Sequence, residues 1–128
     1  MSTQIGVAPR RIYVASKAKH AQVWLDLREA LTDIDIISTW IDEAGEGESD
    51  SLTHLWDRCI CEAHNADALI ALYITGEEWK GAFVEIGAAL ASDTPIYVVG
   101  DPPGSWVYHE MVTRVATIAD ALVLVRQP

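Results

Sequence analysis

An unbroken run of seven apolar residues at positions 68–74 constrains the fold more than any other feature of this sequence. A strand that is apolar on both faces is typical of a parallel sheet covered by helices on each side, because a sheet with one wet face alternates polar and apolar residues. Further β-rich runs lie at residues 11–15 and 95–99, and isoleucines mark another strand at residues 34–37. The run at 68–74 is therefore predicted to be a central strand.

Apolar residues recur at helical spacing between these predicted strands, first over residues 23–31 and then over residues 52–63. A last helix is predicted over residues 118–126, with Thr117 as N-cap and Asp120 completing a capping-box pattern. Strands that alternate with helices pair in parallel through right-handed crossovers. We expect a three-layer α/β domain whose mostly parallel sheet has four to five strands in the order 2-1-3-4, with a short fifth strand near Val115.

The length of 128 residues, half of them apolar, predicts one domain. Residues 1–9 are expected to be a loose leader and residues 42–50 an acidic, glycine-rich mobile loop. The net charge of −10 disfavours long nucleic acids as partners. Cys59 and Cys61 predict reduced thiols and a cytoplasmic protein. No signal-peptide or membrane-spanning pattern is seen.

Glu85 is the candidate catalytic residue, because it is a lone carboxylate in the opening turns of an apolar helix predicted after residue 80. The start of a helix presents unpaired N–H groups and a positive partial charge, so we expect this acid to stay ionised even when partly shielded. An ionised, desolvated carboxylate is a competent nucleophile. Helical geometry places Glu85 at the margin of a buried stripe formed by Ala82, Ile86, Ala89 and Leu90. The residue is also open to a plainer interpretation, a helix-start acid placed for dipole reasons alone.

Topology predicts which other residues approach Glu85. In an open parallel sheet, ligands bind beyond the carboxyl ends of the strands, where the winding direction reverses between strands one and three. We therefore expect a substrate site that gathers the strand ends and the start of the Glu85 helix: Ser16, Lys17, Trp40, Asp42, Tyr73, Thr75 and Gly81.

Most of these positions have a structural alternative. Tyr13 either orients the Glu85 carboxylate or is a core tyrosine. Residues 16–20, with Ser16, Lys17 and Lys19, open a helix that either binds an anion or forms a solvated basic turn. Trp40 could stack on a base or fill the core, and Asp42 could bind hydroxyl or amine donors or serve a turn.

The remaining positions favour structural roles. Gly81 either leaves room for a ligand or serves the helix start, and Gly87 is expected to let the helix pack close to the sheet. Asp67 is expected to be a turn residue and Cys59 a buried, inert thiol.

The sequence contains none of several common nucleotide-binding, metal-binding and serine-nucleophile motifs. The segment at residues 45–48 lacks the third glycine of a dinucleotide fingerprint, and no Walker loop is present. The four histidines show no metal-ligand spacing, and no serine lies in a nucleophile-elbow sequence. We therefore expect neither a cofactor nor a metal.

Four segments together resemble the nucleoside 2-deoxyribosyltransferase superfamily, which includes 2′-deoxynucleoside 5′-phosphate N-hydrolases. They are residues 11–16 (RIYVAS), 65–71 (NADALIA), 81–90 (GAFVEIGAAL) and 94–98 (TPIYV). The resemblance covers roughly residues 10–100, and the sequence around Glu85 is its most specific part.

The resemblance implies an enzyme whose nucleophile, Glu85, attacks the anomeric carbon of a 2′-deoxyribonucleoside and displaces the base. The resulting deoxyribosyl ester then passes its sugar to another base or to water, as in retaining glycoside chemistry. Tyr13 matches the first-strand aromatic residue that holds the glutamate. The resemblance also implies a homodimer or higher homo-oligomer in which a neighbouring subunit completes each site, here through residues 106–111.

Two departures from the family pattern bear on substrate choice. Transferases of this family usually place base-binding aspartates where this chain has Cys59 and Trp79. Four acids stand nearby as substitutes, although each points elsewhere on its element: Asp57, Glu62, Glu77 and Glu78. The leading hypothesis is sugar transfer between bases. The alternatives are a deoxynucleoside 5′-monophosphate N-hydrolase, with Ser16, Lys17 and Lys19 holding the phosphate, and a non-catalytic nucleotide sensor.

Overall fold

The computed structural model describes residues 8–43 and 52–127. The predicted leader and acidic loop lie largely outside these ranges. Within these ranges five strands form one sheet in the order β2-β1-β3-β4-β5, and every neighbouring pair is parallel. Their bounds are β1 (Arg10–Ala15), β2 (Ile34–Ile36), β3 (Ala68–Leu72), β4 (Ile96–Val99) and β5 (Val112–Val115). The predicted α/β class, strand order and short fifth strand are confirmed.

In the part of the chain that the structure describes, four α-helices cover the two faces of the sheet: α1 (Ala21–Ala30), α2 (Leu52–Asn65), α3 (Gly81–Ala91) and α4 (Ile118–Arg126). Short 3₁₀ turns lie at Ala18–His20, Thr39–Asp42 and Ser105–Tyr108. The last helix has the predicted bounds, and the Thr117 side chain accepts a hydrogen bond from the N–H of Asp120. No helix in the described ranges is long and apolar enough to cross a membrane.

Two apolar cores result from the alternation of side chains along β1. Ile12 and Val14 join the core beneath α1 and α4, where Trp24 is fully buried. Tyr13 and Ala15 face the opposite way, into the core beneath α2 and α3. Because successive side chains of a strand point to opposite faces, Tyr13 is directed toward the helix that carries Glu85.

The central strand β3 is buried at all five positions, as its apolar run predicts. It ends at Leu72, two residues earlier than the run suggests, because the chain turns out of the sheet: the Ile74 N–H bonds to the Glu77 side chain and Ile74 is 46% exposed. Trp40 likewise lies in the Thr39–Asp42 turn and not at the end of β2.

The expectation for Gly87 is wrong. A methyl group at this position would meet nothing within 4 Å, so close packing does not require this glycine. The close approach occurs instead at Gly100, after β4. Its φ is +108°, and a Cβ there would lie 2.3 Å from the carbonyl oxygen of Tyr73. Glycine therefore allows the ends of β3 and β4 to pass close together.

Candidate active site

A cavity of about 430 Å³ lies where the switch-point rule predicts, beyond the carboxyl end of β1 and between α2 and α3. Cavities of this size commonly hold small-molecule ligands. Its walls come from the turn after β1, the 3₁₀ turn after β2, one side of α2 and the start of α3: Ser16, Lys17, Ala18, Lys19, Trp40, Leu55, Trp56, Cys59, Trp79, Lys80, Gly81, Ala82 and Glu85.

Glu85 lies in this cavity and is held by Tyr13. The Tyr13 hydroxyl donates a hydrogen bond to Glu85 Oε2 across 2.6 Å, and both side chains are buried. The tyrosine is therefore both a core residue and a partner of the carboxylate, so the two interpretations of its role hold together. A short bond to a charged acceptor in a buried setting fixes the orientation of that carboxylate.

Burial governs the protonation of Glu85. Loss of hydration raises the pKa of its carboxyl group to about 7, although the hydrogen bonds from Tyr13 and Cys59 favour the charged form. The expectation that the helix start keeps this acid fully ionised is wrong. Glu85 is the fifth residue of α3, beyond its first turn, so desolvation outweighs the helix charge. At neutral pH the carboxyl group is near half ionisation.

Cys59 lies beside this pair and is part of the cavity wall. Burial raises the pKa of its thiol to about 11, so the group is protonated at neutral pH, as expected of an inert buried cysteine. Its thiol nevertheless lies close enough to Tyr13 and Glu85 for both groups to influence its pKa. Burial, together with the nearby Glu85 carboxyl group, raises the pKa of the Tyr13 hydroxyl above its ordinary value. The hydroxyl therefore stays protonated and remains a hydrogen-bond donor.

All three lysines of the sequence, Lys17, Lys19 and Lys80, line this cavity. Two of them also contact the loop between β3 and α3. Lys17 Nζ donates to the Glu78 carbonyl oxygen across 2.8 Å, and Lys19 Nζ lies 3.6 Å from the Glu77 carboxylate. All the lysine ammonium groups of a chain of net charge −10 are thus gathered along this one cavity.

Three of the five tryptophans form aromatic walls. The Trp40 indole N–H donates to the Val14 carbonyl oxygen across 2.8 Å, which anchors that ring to β1. Trp56 lies against Gly81: a Cβ at the glycine would be 3.0 Å from the indole. A side chain at Gly81 would press on this indole, and Gly81 also lines the cavity.

The third wall, Trp79, belongs to an aromatic cluster. Its ring is edge-on to Tyr73 and Phe83 and tilted against Trp106, with ring centroids 5.3 to 6.2 Å apart. Trp106, in the segment expected to serve a neighbouring subunit, therefore packs within its own chain.

Besides Tyr73, whose ring packs against Trp79, two residues expected at the substrate site do not line the cavity. Asp42 does not line it, because Arg28 on α1 binds this carboxylate through two hydrogen bonds of 2.6 and 3.0 Å. These bonds lower the pKa of Asp42. Thr75 is exposed in the loop after β3, beyond the point where the chain leaves the sheet, and does not line the cavity either. Topology placed both at the correct edge of the sheet but could not give their side-chain directions.

Other acids also have structural partners. Asp67 accepts a 2.8 Å hydrogen bond from the Arg11 N–H, which confirms its structural role next to β3. Glu62 accepts from the backbone and hydroxyl of Thr39, and Glu77 from the backbone of Ile74. Within the described ranges, no three His, Cys, Asp or Glu side chains converge to hold a metal ion.

Sequence reasoning missed two cavity residues that carry polar groups, Lys80 and Trp56. The sequence does contain an indication for Lys80, because all three lysines of the chain lie next to turns predicted at the ends of strands. Trp56 sits in the apolar stripe of α2, where spacing alone does not separate a core residue from a cavity wall.

No protein-family model matches the sequence, and a search of curated proteins finds no significant match. Solved structures do match over most of the chain. One, a 2-deoxyribosyltransferase from the psychrotolerant bacterium Bacillus psychrosaccharolyticus, is 17% identical with a TM-score of 0.67, and the match covers 87% of this chain and 89% of that one. BlsM is 18% identical with a TM-score of 0.63, covering 91% and 86% of the two chains.

A third match is the Clostridium botulinum CMP N-glycosidase BcmB, which is 19% identical with a TM-score of 0.51 and coverage of 83% and 88%. All three are members of the nucleoside 2-deoxyribosyltransferase-like superfamily. At these identities the likeness is one of fold, and the resemblance inferred from the four sequence segments is confirmed at that level.

Proposed function

We propose that this chain, which has the fold of nucleoside 2-deoxyribosyltransferase-like proteins, cleaves the N-glycosidic bond of a 2′-deoxyribonucleoside or its 5′-monophosphate through Glu85. The observation that carries the proposal is the buried Glu85 carboxylate, bound by Tyr13 at 2.6 Å and facing a 430 Å³ cavity. Two structural neighbours support it, since they are described as a 2-deoxyribosyltransferase and a CMP N-glycosidase.

In the first step Glu85 attacks the anomeric carbon with the oxygen that Tyr13 does not hold. A bond forms between that oxygen and the anomeric carbon, the bond to the base nitrogen breaks, and its electron pair leaves with the base. A second base then attacks the same carbon through a ring nitrogen, the proton of that nitrogen passes to the base that has left, and the ester oxygen returns to Glu85 as carboxylate. Two inversions give net retention, and covalent stabilisation of an oxocarbenium-like transition state requires only one carboxylate at the sugar.

Tyr13 and the apolar walls make this carboxylate reactive. Desolvation removes the hydration that would stabilise the charge of the nucleophile, and the Tyr13 hydroxyl keeps the ionised form accessible. Only the ionised fraction attacks, so the cleavage rate is expected to rise with pH through about 7, the pKa of Glu85.

The second candidate function is a 2′-deoxynucleoside 5′-monophosphate N-hydrolase, in which water accepts the sugar. The three lysines favour a phosphorylated substrate, because an ammonium group binds phosphate as a point charge and the rest of the chain is strongly acidic. Ser16, Lys17 and Lys19 are the proposed phosphate contacts, and Lys80 adds a further ammonium group to the cavity wall.

Base release from deoxynucleosides and their monophosphates, with and without an acceptor base, tests the proposal and separates transfer from hydrolysis. Glu85→Ala is expected to abolish release, and a 2-fluoro-2-deoxyribosyl substrate is expected to label Glu85. Glu29→Gln, which removes a carboxylate from α1 on the other face of the sheet, is the matched control and should keep full activity. Unchanged release by a folded Glu85→Ala protein would refute the mechanism, and binding without turnover in the wild type would favour the sensor.

A further inference from the structure

The lysines of the cavity wall differ in what their ammonium groups contact. Lys17 donates to the backbone carbonyl oxygen of Glu78, a neutral acceptor, so this contact does not balance its charge. Among the described residues, Lys19 is the one lysine that pairs with a carboxylate, since its Nζ lies 3.6 Å from Glu77 Oε2. The ammonium group of Lys19 therefore has a counter-charge within the protein before any ligand binds.

The carboxylate of Glu77 is firmly held in the loop between β3 and α3. Its side chain is only 6% exposed; Oε1 accepts from the Ile74 N–H across 3.1 Å, and Oε2 is bonded to His20 Nε2 across 2.5 Å. Although burial opposes ionisation, these bonds hold the pKa of Glu77 below its ordinary value, so the group is charged at neutral pH. Glu77 does not line the cavity, and its bonds to Ile74 and His20 keep it in place whether or not Lys19 stays beside it.

Lys19 is much less constrained than its partner. Its side chain is 67% exposed and lines the cavity, and the 3.6 Å separation from Glu77 is longer than a hydrogen bond. Ion pairs with an exposed member are weak, because water also solvates the charge. An anion in the cavity can therefore take this ammonium group from Glu77 at little energetic cost.

We propose that Glu77 determines how tightly the site binds a phosphate group, by competing with that group for Lys19. This inference rests on the proposed function in its phosphorylated form, because it takes Lys19 as a phosphate contact. In the empty site Glu77 partly neutralises Lys19, and a bound phosphate has to displace that attraction. Phosphate alone is thus a weak ligand, and a nucleotide gains the rest of its affinity from its sugar and base. The site therefore discriminates against other small phosphorylated compounds.

Binding of 2-deoxyribose 5-phosphate, which is common to every candidate nucleotide, tests the competition, with 2-deoxyribose as the uncharged probe. NMR titrations of the isotope-labelled, full-length protein follow the amide signals of residues 16–20 at pH 8, where a phosphate monoester with a second pKa of about 6 is doubly charged. Glu77→Gln removes the charge but keeps an oxygen for the Ile74 N–H. It should bind the phosphate probe about fivefold more tightly, a size typical of one partly exposed ion pair. The affinity for 2-deoxyribose should not change.

The matched control is Glu78→Gln. It removes the same unit of charge from the next residue, whose side chain is exposed, and keeps the backbone carbonyl group that Lys17 contacts. Its affinity for the phosphate probe should stay within about twofold of the wild type, because solvent and salt screen an exposed charge.

A second variant, Lys19→Gln, shows whether Glu77 acts through the lysine. Adding Glu77→Gln to it should give no further gain in affinity, because the competition needs the ammonium group. The direction of the change is also diagnostic: a loop disturbed by the loss of Glu77 would bind the phosphate probe more weakly, whereas competition predicts tighter binding.

Four outcomes would each overturn the proposal: unchanged or weaker binding in Glu77→Gln, an equal gain in Glu78→Gln, a gain that persists without Lys19, or no binding of the phosphate probe by any of these proteins. Base release by the wild type is measured separately. Release that depends on Glu85, together with any of the four outcomes, would refute this inference alone. A gain in Glu77→Gln without base release in the wild type would refute the proposed cleavage and leave the competition for Lys19 standing.

Discussion

The burial of Glu85 predicts a specific pH dependence of folding stability. Its pKa is about 7 in the folded protein, against an ordinary value of 4.5 in the unfolded chain. Because the folded state holds the proton more tightly, this group contributes stability that is fully present below pH 4.5 and is lost as the pH rises through 7. A pKa unit corresponds to about 1.4 kcal/mol, so the loss amounts to about 3 kcal/mol.

Urea unfolding of the wild type and of Glu85→Gln, at intervals from pH 4 to 8.5, isolates this contribution. Glutamine is nearly isosteric and can still accept the Tyr13 hydroxyl, but it does not ionise. The other titrating groups are common to both proteins and cancel. The unfolding free energy of the wild type minus that of the variant should fall by about 3 kcal/mol between pH 4.5 and pH 8, most steeply near pH ~6, midway between the two pKa values, and should level off above pH ~7. A difference that stays flat, or that grows with pH, would refute the assignment of Glu85 as a desolvated carboxyl group.

Tyr13→Phe extends the same test, because it removes a donor that favours the charged form while keeping the ring in the core. The pKa of Glu85 should rise further, so the pH profile of base release should move to higher pH with the maximum rate reached only in alkaline solution. A profile that coincides with the wild-type profile would show that the 2.6 Å bond does not tune the carboxylate.

Three stability predictions follow from the fold and can be checked by chemical denaturation. Gly100→Ala should lower the free energy of unfolding by about 3 kcal/mol, because it combines a φ of +108° with a Cβ 2.3 Å from the Tyr73 carbonyl oxygen. Gly76→Ala, at φ +92° with nothing within 4 Å of the added Cβ, should lower it by only about 1 kcal/mol. Equal losses in the two variants would contradict the clash at Gly100. Thr117→Ala removes the N-cap of α4 and should cost about 1 kcal/mol, whereas Thr117→Ser should restore most of it. Ser38→Ala deprives a buried backbone N–H of β1 of its 2.7 Å acceptor and should cost about 2 kcal/mol; a neutral effect would mean that the donor finds another partner.

The fold was predictable because its determinants are local patterns in the chain. The apolar run at residues 68–74 marks a strand buried on both faces, and the strand-helix alternation then restricts the connections to right-handed crossovers. The cap at Thr117 follows from the same kind of short-range chemistry. The ends of strands were less predictable: the apolar character of Ile74 does not reveal that its N–H bonds to the Glu77 side chain and not to a neighbouring strand.

The pairing of Tyr13 with Glu85 was accessible from sequence for a related reason. The period of two along β1 turns Tyr13 toward the α2 and α3 layer, and the order 2-1-3 brings β1 next to the strand that precedes α3. The direction of Tyr13 and the order of the strands are both properties of the backbone, which the hydrophobic patterns of the sequence determine. Asp42 required knowledge of a side-chain partner, Arg28, that lies on another element, and no pattern in the sequence pairs them.

The protonation of Glu85 shows most clearly the difference between what local sequence patterns determine and what tertiary packing determines. Position along the chain assigns it to the beginning of a helix, where the partial charge favours an anion, yet its pKa is raised. The opposing effect, desolvation, depends on how completely α2 and the aromatic walls cover the carboxyl group, and that is a property of tertiary packing. The helix charge falls off within the first turn, whereas Glu85 lies in the second and is only 7% exposed. The same packing that makes Glu85 reluctant to ionise also excludes the water that would weaken it as a nucleophile, so the reactivity of this residue and its cost to stability at high pH have a single cause.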